Sequence, residues 1–127
     1  MAIEWRGDAK TGVGHARLRD RVRPEELRAF HADHAAAGFG RDAASLLDLT
    51  EFVPPEDFDG FVSARLDIAR RPRAVAMVTT DLRVMLLCRL LFVRLHLAGL
   101  LHESRGAVFA DAEGAEGWLR ALPLRAN

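Results

Sequence analysis

The run Ala74-Val75-Ala76-Met77-Val78-Thr79-Thr80-Asp81, leading into Leu82 to Leu101, decides how the rest of the chain is read. Its first five residues are apolar and partly β-branched, the make-up of a short strand buried on both faces. Thr79, Thr80 and Asp81 carry side-chain oxygens able to accept the free N–H groups of a helix start. From Leu82 to Leu101 there is no Pro, and Gly99 near the end is the only Gly. A buried strand feeding an apolar helix is the central unit of an α/β sheet.

Working outward, Ala2–Arg6 reads as a first strand anchored by Trp5, with turn residues at Gly7-Asp8 and Thr11-Gly12. Val13–Arg19 reads as a second strand, antiparallel to the first through a hairpin. Val13, His15 and Arg17 face opposite to Ala16 and Leu18. Arg23-Pro24-Glu25-Glu26-Leu27 has the marks of a helix start, with Pro in the first turn and carboxylates at the positive dipole end. Gly38 is its natural stop. Ser45–Thr50 is a short interior strand. A second helix is expected to begin in Pro54-Pro55-Glu56-Asp57, with Phe58, Phe61, Val62, Leu66 and Ile68–Ala69 as its apolar face. Arg70-Arg71-Pro72-Arg73 closes it with cations at the negative dipole end. The last strand is Gly106–Ala110, and a helix over Ala112–Leu122 follows, capped by Asp111 and stopped by Pro123. The order is β-β-α-β-α-β-α-β-α, an α/β mixed sheet in a single domain over residues 1–127.

Basic and acidic residues balance at 18 each, which gives no electrostatic footprint for nucleic acid. Cys88 stands alone, so there is no disulfide framework and a reducing, cytoplasmic setting is expected. The first residues lack the apolar core of a signal peptide. Leu82–Leu101 has the length of a membrane span, but Arg83, Arg89, Arg94 and His96 lie within it. Each Arg near a helix centre costs about 2.5–3.5 kcal/mol on insertion, so no transmembrane segment is expected.

From Leu46 onward the chain resembles a known family. "LLDLTEF", a helix, "AVAMVTTD", an apolar helix and "AVFADAEGAEGWLRAL" are similar to the SpoIIAA-like branch of the STAS superfamily. Phe109, Asp111, Glu113, Ala115, Trp118 and Leu119 carry the match at the end, and the first third agrees by element order only. The resemblance implies a STAS-like fold, cytoplasmic, without enzymatic chemistry, working by binding a protein partner. Anti-sigma-factor antagonists of this superfamily carry a phosphoacceptor hydroxyl after the Asp-Leu-Thr strand, at a helix N-terminus. Here Glu56-Asp57-Phe58 stands there, without a hydroxyl. Asp57 is then either a fixed mimic of the phosphorylated state or a plain helix-start carboxylate, the latter being the simpler account.

Few residues suggest chemistry of their own. Asp48 interrupts the third strand near its carboxyl end, where α/β sheets place ligands. A carboxylate capping nearby loop amides explains it more simply. His31 and His34, three apart on one helix, are close enough to share a metal. A zinc site takes three or four ligands, though, and no HExxH or Cys pair is present, so they read as solvated histidines with no metal or cofactor. His102-Glu103-Ser104 holds triad-like types, but loop neighbours rarely converge. No enzyme is expected.

The apolar helix has more aliphatic surface than one sheet can bury. Arg83 and Arg94 fall on one side, Arg89 and His96 on another, and large apolar groups occupy most directions between. The expectation is a partner or ligand surface that includes Arg89, Phe92 and His96. A homodimer or protein partner comes first, a small hydrophobic or lipid-like molecule second.

Overall fold

The computed structural model describes residues 2–39, 43–68 and 70–122. Within them lies a five-stranded mixed sheet: β1 (Ile3–Asp8), β2 (Val13–Asp20), β3 (Ala44–Phe52), β4 (Ala74–Val78) and β5 (Gly106–Phe109). Four helices connect or follow the strands: α1 (Pro24–His34), α2 (Phe58–Asp67), α3 (Leu82–Leu97) and α4 (Ala112–Ala121). The chain is α/β, in the element order expected. Spatial order equals chain order, β1-β2-β3-β4-β5. β1 and β2 are antiparallel, and every later pair is parallel.

That order explains the layers. Parallel crossovers are right-handed almost without exception, so three successive crossovers to the next strand put α1, α2 and α3 on the same face. Ile3, Ala16, Leu18, Val75 and Met77 meet these helices in one core. Ala44, Leu46, Ala74, Ala76 and Val78 point the other way and receive α4 through Ala115 and Leu119. β4 is buried along its whole length. The alanines on its α4 side let that helix lie close, with Trp118 against Phe109 at 5.5 Å. Over β1 and β2 the α4 face is open and charged. There Arg19 bridges Glu4 and Glu51.

Local chemistry sets the helix ends. Asp81, Asp57 and Asp111 each cap a helix by accepting backbone N–H groups, Asp57 from Gly60 at 2.9 Å. The second helix therefore starts at Phe58, later than the Pro54–Asp57 expected. Val53 and Pro54 each precede a proline and are steered away from helical backbone. α3 ends at Leu97, before Leu101. Gly99, at φ +72, donates to the His96 carbonyl, and Leu100 donates to that of Leu95, turning buried Leu100 and Leu101 inward. The first strand runs two residues past Arg6, so the turn falls at Ala9–Gly12. Pro123, expected to stop the last helix, lies outside the described residues. No helix among those described is long and apolar enough to cross a membrane.

Two glycines fix how α1 meets the sheet. Gly7 and Gly14 are cross-strand partners on the helix face. A Cβ at Gly14 would collide with the His34 ring, and one at Gly7 with the Phe39 ring. Their hydrogens leave a hollow in which His34 stacks on Phe39 at 5.7 Å and meets Trp5 edge-on at 4.5 Å.

Candidate functional site

Between the sheet and α1, α2 and α3 a cavity of about 50 Å³ remains. A buried water needs on the order of 10–15 Å³ of such space, so several water-sized groups fit. Leu27, Phe30, Phe61, Met77 and Leu91 supply apolar walls. The polar lining consists of His31 from α1, Ser45 from β3, Arg65 from α2, and Arg70 just beyond α2. All four are buried.

A guanidinium is always a donor, so its neighbours must accept. Arg70 Nη2 donates to the Phe39 carbonyl at 2.7 Å and to Ser45 Oγ at 3.3 Å. Its Nη1 lies 3.2 Å from His31 Nδ1, which puts the lone pair on Nδ1 and the imidazole proton on Nε2. Burial and the Arg65 and Arg70 charges push His31 down to about 2, so it is neutral. Arg65 Nη2 donates to the Arg70 carbonyl at 3.3 Å. Its Nη1 is buried with no hydrogen-bond partner, and no ion pair among the described residues includes Arg65. Burial and the Arg70 charge push Arg65 down to about 10, and burial does the same to Arg70, which leaves both ionised at neutral pH. Cys88 also lines the cavity. Burial pushes its thiol up to about 12, so it stays protonated and unreactive.

The residues singled out from the sequence do not meet. Asp48 lies on the α4 side of the sheet, 3.3 Å from Arg17 and accepting from the Thr50 amide at 3.0 Å and hydroxyl at 2.7 Å. Burial raises its carboxyl, but the Thr50 and Arg17 contacts outweigh that and hold it below the usual carboxylate range. Asp57 is an exposed N-cap. Arg89 is exposed on α3. Phe92 belongs to no surface: it is buried, its ring against Gly106, because the sheet side of α3 is wider than the helix pattern alone suggests. His96 is half-buried and accepts the Glu103 amide at 3.1 Å, tying down the loop after α3. His102 Nδ1 lies 2.8 Å from Ser104 Oγ and also accepts the Ser104 amide, contacts internal to one tight turn.

His31 and His34 are not solvated, as their spacing on a polar-looking helix suggested. Both are buried, drawn in by the glycine hollow and the cavity. The Arg70 cation on His31 opposes a metal there, and no group of three or more side chains able to hold a metal occurs among the described residues. Neither ring nitrogen of His34 has a hydrogen-bond partner, and burial followed by the Arg70 charge pushes it down to about 4.

Arg65 escaped the reading of the sequence. It was detectable: it follows Phe61 by four and Phe58 by seven, so it occupies an inward slot of α2 where an apolar residue belongs. Compared with known proteins, the chain matches no family model and no curated protein.

Proposed function

We propose that this chain is a cytoplasmic STAS-like domain that works by binding rather than catalysis, and that its interior takes a small hydrophobic ligand. The cavity beneath α1, α2 and α3 carries this reading, since its apolar walls converge on a few buried polar groups, the usual anatomy of a small-molecule site. The resemblance over the Leu46–Leu122 segment and the element order support the STAS-like assignment. The absence of a hydroxyl from residues 56–58, and the use of Asp57 as a cap, favour a domain not switched by phosphorylation there. Native mass spectrometry of the purified protein is expected to reveal a retained apolar compound, or saturable uptake of a small hydrophobic probe after delipidation. Neither retention nor uptake would overturn the reading.

A second surface supports self-association. On α3, Leu82, Leu86, Val93 and Leu97 are 55–75% exposed and form one stripe. Arg89 flanks it on one side, with Arg83 and Arg94 on the other. An apolar stripe with a charged rim is the pattern of a protein interface. Sedimentation at micromolar concentration is expected to give a dimer. A monomer across that range would remove this second reading and leave the first intact.

A further inference from the structure

The geometry points to a short-chain carboxylate as the ligand of the interior cavity, its oxygens bound at Arg65 Nη1 and its hydrocarbon part among Phe30, Phe61 and Leu91. This deepens the ligand reading above and rests on it. Three observations carry it. Arg65 lies on the inward stripe of α2 and is 6% exposed, so its charge has been taken out of water. Its Nη1 has no partner among the described residues, although buried donors are almost always satisfied. Finally, the Arg65 side chain lines a mostly apolar cavity large enough for a few carbon atoms.

A buried cation without a counter-charge is a costly arrangement, and a ligand that brings one negative charge removes the cost. The chemistry of the lining narrows the choice. Arg70 adds a second positive charge across the Arg70 carbonyl to which Arg65 donates. His31 is neutral and has its Nδ1 lone pair engaged, so it does not compete as an anion. No carboxylate lines the cavity among the described residues. A cationic ligand would meet two guanidiniums, and a neutral one, even where its oxygen accepted from Arg65 Nη1, would bring no counter-charge. A planar carboxylate matches the flat guanidinium edge, and the apolar walls favour a hydrocarbon tail over a bare inorganic ion.

The test compares an acid and an alcohol of the same chain. Butanoate and butan-1-ol are titrated into the protein in chloride-free buffer at pH 7.5, with octanoate and octan-1-ol as the longer pair and inorganic phosphate as the bare anion. The acid is expected to bind about tenfold or more tightly than the alcohol, the range for a charge-assisted hydrogen bond in a dry site. In Arg65→Met that preference should shrink to about threefold or less with alcohol binding retained, whereas Arg65→Lys should keep part of it. Thermal melts establish that both variants fold. Equal binding of acid and alcohol by the native protein overturns the carboxylate and leaves the apolar-ligand reading standing. So does an acid preference that survives Arg65→Met. Phosphate binding as tight as butanoate overturns the hydrocarbon part. No binding of either acid or alcohol at either length overturns the parent reading and this inference together.

Discussion

His34 makes the stability of this fold depend on pH in a calculable way. Its ring is fully buried and neutral, and its proton affinity is pushed from 6.5 down to about 4 by burial and Arg70. His31 is pushed down to about 2 by burial and the two arginines. In the unfolded chain both rings take up a proton near the ordinary value of 6.5. Below that pH the unfolded state holds more protons, so folding weakens as pH falls. The loss begins near 6.5, ceases to grow for His34 below about 4, and continues for His31 to about 2. Between pH 7 and 5 each ring removes about 2 kcal/mol, so the pair removes about 4 kcal/mol. His15, also lowered by burial and by Arg6, acts in the same direction. The lowered carboxylates Asp8, Glu26 and Asp48 titrate beneath this window. The perturbation is His34→Phe, which keeps a ring over Gly14 and removes two unsatisfied nitrogens. Urea unfolding at half-unit pH steps is the assay. The native protein should lose about 2 kcal/mol more than the variant between pH 7 and 5, a difference of about 1 M in urea midpoint. Equal pH slopes in the two proteins would refute the burial argument, whatever the absolute stability of the variant.

Three further outcomes test the packing. Val93→Glu should leave the domain folded while weakening any dimer, whereas Phe92→Glu, one residue earlier, should unfold it by burying a charge at a cost of about 4 kcal/mol or more; circular dichroism and sedimentation on the same samples separate them. Asp57→Ala should cost about 1 kcal/mol by removing the α2 cap, while Asp57→Ser should cost much less because Ser caps almost as well. Equal losses in the two would refute capping as the role of Asp57. Gly14→Ala should destabilise by about 1–3 kcal/mol through collision with the His34 ring. In the His34→Ala background the same change should cost little.

The parts of this fold written locally were legible in the sequence. β4 is a short apolar run and Asp81 a cap beside it, so β4 and the start of α3 fall where expected. The alternation in β2 likewise sorts its residues onto the faces they occupy. What depended on distant partners was harder. The burial of His34 comes from Gly7 and Gly14 meeting across a hairpin and receiving α1, and that of His31 from the cavity and Arg70, contacts that no window around the histidines contains. Phe92 reads as surface in the sequence because a helix pattern does not tell how many of its directions a sheet and a neighbouring helix will cover. The exposed stripe of α3 was foreseeable as surplus apolar surface, although its members are Leu82, Leu86, Val93 and Leu97. Arg65 is the opposite case: the spacing of α2 contains its position, but a charged residue there does not register as part of an apolar face.

The identity of spatial and chain order bears on assembly as well as shape. Each strand after the hairpin docks beside the one made immediately before it, so growth of the sheet never waits for a distant segment. Short-range pairing of this kind shortens the search for the native topology. It also suits a chain that emerges from the ribosome from its N-terminus onward, because every added β-α unit finds its edge already laid down. α4 alone breaks the pattern, crossing to the opposite face and closing the alanine-lined side of β3 and β4 last. Until it arrives, the inner strands have one apolar face open to water, which makes the final helix the latch on which completion of the domain depends.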